Sequence, residues 1–294
     1  MSRPRALLAG LNRRPRLVVA SLLAPGTLWL VVFFFVPIAV VLAYSFMPRG
    51  VYGGVTGGTT LEHYRRFMDP LYLTVLRRTV VLAVACTGLC LLAGYPVAYV
   101  IARAGRWKNL LLFLIVMPLW TSFLVRTYAM IFLLRDTGFV NTVLLALGLV
   151  REPLTLLYTP GAVLAGLVYG YLPLMVLPIY VSLEKLDPTL LEAAEVLGAR
   201  PAARFWRITV PLSMPGIVAG AMLVFIPALG AFLTPDLLGG AKQMMVGTLV
   251  QNQFGAARDW PFGSAASFVL MAVVLVAVLG YLRLRDRGSV EALA

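Results

Sequence analysis

Six long apolar runs limit what this chain can fold into. They lie at about 22–46, 79–102, 109–134, 160–183, 216–233 and 265–284. Each has roughly the length, about 17 to 25 residues, that a helix needs to cross the hydrocarbon layer of a bilayer. Backbone in lipid must satisfy its own N–H and C=O groups, so uninterrupted apolar runs of this length predict helices. The expected fold is an all-α membrane protein with six transmembrane helices in one domain, 22–287. A basic segment, 1–21, precedes that domain and a tail, 288–294, follows it. The first run is too long for a signal peptide and closes on no small-residue cleavage pattern, so it reads as a first crossing.

Composition agrees. The 294 residues are 61% hydrophobic and 13% charged, with a mean hydropathy of +0.90, whereas a soluble domain carries about a quarter charged residues. The net charge of +13 raises nucleic acid as a partner. The cations, however, are spread between the apolar runs, and that pattern reports orientation. Segments 1–21, 103–108, 184–215 and 283–287 hold fifteen Arg and Lys, against nine in the longer intervals on the other side. The positive-inside rule places the first set, and with it both chain ends, in the cytoplasm. The expected location is a bacterial inner membrane, crossed several times, with lipid around it and no nucleic-acid partner.

The intervals carry little chemistry. A Gly- and Thr-rich loop follows the first run, with a short amphipathic piece at 61–68, and a second amphipathic stretch lies at 138–149. Cys86 and Cys90 stand one helical turn apart inside a run, where packing is the plain reading and a disulfide lacks suitable geometry. His63 has no Cys or His companion, so a metal site is not expected. The loop pattern that cradles nucleotide phosphates, G-x-x-x-x-G-K-[ST], is absent, so this chain is not itself an enzyme of nucleotide hydrolysis. Acidic residues sit at the ends of the runs, Asp136 and Asp236 at the outer edge, and a proton-driven carrier would place them inside. Arg126 is a cation in the interior of a run. It is either a pathway residue or a structural cation that binds freed carbonyls of a neighbouring helix. Aromatic candidates for a pathway are Trp120, Tyr128, Tyr171 and Phe232, each of which also suits packing or interface anchoring.

The interval 184–215 differs from the rest. Leu190, Leu191, Ala194 and Leu197 fall at helical spacing and form one apolar face. Gly198 suits the left-handed end of that helix, and Pro201 suits the first turn of a second. A helix–turn–helix held at the cytoplasmic surface is expected. An amphipathic loop resting on headgroups would share this outline. The residues Glu192-Ala193-Ala194, Gly198, Ile208 and Pro211 at their spacing resemble the EAA signature of permease subunits of ABC importers. Val210 departs from it, standing where that family usually has Leu. Gly94-Tyr95-Pro96, 125–129, Gly138 with Asn141, Tyr171-Leu172-Pro173 and 183–187 are similar to the spermidine/putrescine branch, so the likeness covers most of the chain.

The resemblance implies a type I importer permease fold and an ATP-driven mechanism. A cytoplasmic ATPase dimer would use ATP and Mg, and this chain would bind no cofactor. A second permease subunit, a related different chain, would complete the pathway. An extracytoplasmic solute-binding protein would deliver a polyamine, with a phosphonate, an opine-like compound or ferric ion as alternative cargo. Glu192, Ala193, Ala194, Gly198, Arg200, Arg204, Ile208 and Pro211 would form the ATPase-coupling site, with Arg200 and Arg204 paired to acids of the ATPase. A self-sufficient secondary carrier is the competing reading from another class.

Overall fold

A computed structural model describes residues 15–291. Residues 1–14, with Arg3, Arg5, Arg13 and Arg14, and residues 292–294 of the expected tail lie outside the described part. The helices are α1 (Pro15–Ser45), α2 (Glu62–Phe67), α3 (Pro70–Arg103), α4 (Lys108–Val116), α5 (Phe123–Leu134), α6 (Phe139–Ala146), α7 (Pro160–Glu184), α8 (Pro188–Val196), α9 (Pro201–Arg204), α10 (Val210–Leu229), α11 (Val246–Phe254) and α12 (Trp260–Glu291). Six helical stretches are long and apolar enough to cross a membrane. No β-strand occurs among the described residues; one isolated bridge joins Arg49 and Val55.

Three helices start on the same device. Asp69, Thr159 and Asp187 each accept a backbone N–H from the first turn, and a proline follows at the first helical position. The cap satisfies an otherwise orphaned donor, and proline loses nothing where no N–H is needed. This start moves the second crossing from the expected 79 back to Pro70. At 34 residues, α3 is about 51 Å long at 1.5 Å per residue and projects beyond the hydrocarbon layer. Other ends shift too. The first helix begins at Pro15, the fifth crossing covers Val210–Leu229, and the sixth runs from Trp260 through residues assigned to the tail, to Glu291.

The core is a trio, α3, α7 and α10, with α7 in the middle. Glycines let these helices meet closely, since association in lipid depends on packing rather than on a hydrophobic force. Gly94 of α3 lies against Met175 and Val176, and Gly216 and Gly220 of α10 lie against Pro178, Ser182 and Met175. Cys86 and Cys90 are free and buried in this core. By contrast α1 packs mainly on α12 and turns Trp29, Phe33 and Phe35 outward, to lipid.

The third crossing differs from the expected continuous helix over 109–134. It consists of α4, a 3-10 turn at Met117–Trp120, an extended Thr121, and α5. Pro118 supplies no N–H, and the helix does not recover across it. The longest apolar stretch here runs Phe123–Ala146, but it contains the charged turn Arg135-Asp136. Depth argues instead that α4 and α5 make the crossing. Phe123 packs on Gly170, near the middle of α7, and Lys108 pairs with Glu184 at its cytoplasmic end.

On the outer side Asp259 joins two loops. Its carboxylate is 2% exposed and accepts a hydrogen bond from Arg66 at 2.9 Å, with Arg49 at 3.8 Å. Arg66 also lies over the Phe262 ring, 4.2 Å from its centroid. Asp259→Asn is expected to destabilise the detergent-solubilised protein by about 1.5–3 kcal/mol, the scale of a charged hydrogen bond, and so to lower its thermal midpoint. Arg49→Ala removes a longer, half-exposed contact to Asp259 together with an exposed hydrogen bond to the Ala257 carbonyl at 2.8 Å, and should cost less. Equal midpoints for Asp259→Asn and the unaltered chain would contradict this.

Candidate functional site

The interval 184–215 folds as a helix, a glycine turn and a short second helix, and it joins α7 to α10. Asp187 caps α8 by accepting the N–H of Thr189 at 2.9 Å, and that bond holds its carboxyl below the usual carboxylate range. Gly198 ends α8 at φ +79°. The N–H of Ala199 reaches the carbonyl of Ala194 and the N–H of Gly198 reaches that of Glu195, both at 2.9 Å. This pair of bonds is the Schellman arrangement, which an L side chain at the turn position strains.

Arg204 lies in α9 and forms an ion pair with Glu195 of α8. The pair staples the two helices across the turn, so Arg204 is engaged inside the loop. The expected pairing of Arg204 with acids of an ATPase would add to this contact or replace it. Arg200 is exposed and precedes Pro201. The chain then makes a π-helical turn, Phe205–Thr209, and enters α10 with no loop between. Ile208 is half-buried on that turn, while Pro211 is exposed in the first turn of α10.

The apolar face of α8 is divided. Leu191 and Ala194 turn partly inward, while Leu190 is exposed. Val196 and Leu197 are 88% and 86% exposed. They form an exposed aliphatic edge at the cytoplasmic turn. Ala193 is exposed beside it. Glu192 lines a cleft of about 390 Å³ together with Tyr99, Arg103, Glu184, Leu191 and Thr209. Thus Glu192 stands between this edge and the body of the chain. Lys108 and Glu184 anchor α4 to the root of the loop, and neither local sequence signals that they pair.

The proposed pathway residues differ in exposure and in partners. Arg126 projects from α5, and its Nε and Nη1 are shielded from solvent without a hydrogen-bond partner. Its guanidinium stands 5.4 Å from the Phe123 centroid. Trp120 is exposed at the break in the third crossing, edge-on to Phe113, and Tyr128 is exposed on α5. Tyr171 instead bonds the Pro227 carbonyl at 3.4 Å, joining α7 to α10. Phe232 follows α10 and is exposed. Among the described residues no group of three potential metal ligands gathers anywhere.

Six helices of crossing length, with a helix–turn–helix between the fourth and the fifth, define a polytopic membrane protein. The chain belongs to the family of binding-protein-dependent transport system inner membrane components, which it matches over residues 91–286. It is a multi-pass inner-membrane protein. It is 44% identical over 256 residues to the spermidine/putrescine transport system permease protein PotB of Escherichia coli K12, covering 87% of this chain and 93% of that one. Its counterpart from Haemophilus influenzae is 41% identical over 273 residues, covering 92% and 94%. The fold matches a bacterial ABC transporter that imports the polysaccharide alginate, with a TM-score of 0.71 at 18% identity, covering 96% of this chain and 99% of that one.

Proposed function

We propose that this chain is the membrane-spanning subunit of an ATP-driven importer of spermidine or putrescine. The carrying observation is the docking edge at Val196 and Leu197, on a stapled helix–turn–helix that continues into two crossings of the core trio. Such an element passes a push from a cytoplasmic ATPase to the helices around the pathway. Glu192, Gly198 and the exposed faces of α8 take the ATPase. A companion permease covers the open face of the third crossing, and an extracytoplasmic binding protein delivers the solute. The relatives that span nearly the whole chain carry polyamine names, and these support the choice of solute.

Tagged protein purified from native membranes is expected to bring down a P-loop ATPase and a second permease. In proteoliposomes the complex should take up labelled spermidine with ATP and the binding protein. Unlabelled putrescine should compete, while phosphonate and ferric ion should not. Solute movement by the chain alone, without an ATPase, would make it a secondary carrier and overturn the reading.

A further inference from the structure

The loop is joined covalently to α7 and α10, but the third helix of the core, α3, has no such link. A side-chain joint supplies one. Phe205, the first residue of the π-helical turn, sits between two tyrosines of α3. Its ring is edge-on to Tyr95, centroids 5.7 Å apart at 88°, and edge-on to Tyr99 at 5.6 Å and 84°. Edge-to-face pairs attract through the ring quadrupoles and hold a set geometry. Deeper in, the Tyr95 hydroxyl and the Ser213 hydroxyl of α10 lie 3.0 Å apart, both buried. Ser213 in turn donates to the Val210 carbonyl at 3.0 Å. One tyrosine therefore touches the loop with its ring and α10 with its hydroxyl.

The surroundings leave this joint room to move. Tyr99, Arg103, Leu191 and Thr209 line both the cleft of about 390 Å³ and a second one of about 180 Å³ beside Phe205. The Thr209 hydroxyl, on a residue 2% exposed, has no partner. A π turn inside an otherwise α-helical stretch displaces backbone hydrogen bonds, and such turns recur at functional sites. Here it ends at the orphaned hydroxyl, between two open spaces.

We infer that Phe205, Tyr95 and Tyr99 form the joint through which movement of the cytoplasmic loop reaches α3, so that α3, α7 and α10 shift as one body. This rests on the importer reading above. The residues are positioning residues: none of them touches ATP or is assigned to the solute.

The test uses the complete complex in proteoliposomes and reads solute imported per ATP hydrolysed. Phe205→Ala is expected to lower that ratio about tenfold, the scale of losing two edge-on aromatic contacts, with the ATPase still bound and hydrolysing. Phe205→Tyr keeps the ring and should restore the ratio. Tyr95→Phe removes one hydroxyl and should lower the ratio by a smaller factor, without the cavity that Phe205→Ala leaves. The inference is overturned if Phe205→Ala imports at the unaltered ratio, or if uptake and hydrolysis fall together in both Phe205→Ala and Tyr95→Phe. Failure of the importer reading shows separately, as an unaltered complex that hydrolyses ATP without moving polyamine.

Discussion

Gly216→Val should leave little correctly folded protein in the membrane. A Cβ at Gly216 would meet the Pro178 carbonyl, and it would stand 2.5 Å from the Ser182 hydroxyl. A flexible side chain can swing away from such a contact, but a backbone carbonyl cannot. Helix α10 would have to move off α7, its main partner. Overpacking of a well-filled core costs about 1–3 kcal/mol and more where backbone must shift. Gly26 on α1 is the control, because a Cβ there meets nothing within 4 Å. Detergent extracts run on fluorescence-detected size exclusion should show a monodisperse peak for Gly26→Val and a collapsed one for Gly216→Val. Matching peaks and thermal midpoints would mean that α7 and α10 do not meet at this glycine.

Gly198→Leu should abolish uptake while the chain stays in the membrane at its usual level. The turn residue has φ +79°, which strains an L side chain by about 1–2 kcal/mol. A Cβ at this point meets nothing within 4 Å in the chain itself. The loss therefore has two parts that a series separates. Gly198→Asn tolerates the left-handed turn and should retain much of the uptake, whereas Gly198→Ala reports the strain with little bulk. Leucine adds a side chain on the exposed edge that is proposed to take the ATPase. Membrane content is read by immunoblot and transport by labelled polyamine. Full uptake by Gly198→Leu would remove the turn from the coupling mechanism.

The features legible in the sequence are those encoded over short distances. Six crossings follow from hydropathy, and the helix–turn–helix follows from Gly198, Pro201 and the charges around them. Hydropathy averaged over a window cannot see a break in the backbone, so the third crossing read as continuous although Pro118 stood inside it. The early start of α3 was written in Asp69-Pro70, but apolar density alone begins later. Arg204 and Glu195 are nine residues apart, a spacing at which a straight helix predicts no contact, and only the turn brings them together. Asp259 is 193 residues from Arg66, and Phe205 is more than a hundred from Tyr95. No local pattern announces such partners, and the joint and the outer latch are built from them.

The break in the third crossing also bears on what must surround this chain. Ser122 makes no side-chain cap at the start of α5, so the opening N–H groups of that helix depend on something outside it. At the depth of Gly170 lipid offers no acceptor, and each bare group costs several kcal/mol there. The break is therefore the place in the bundle that most needs a neighbouring helix or a water-lined cavity to take up its backbone groups.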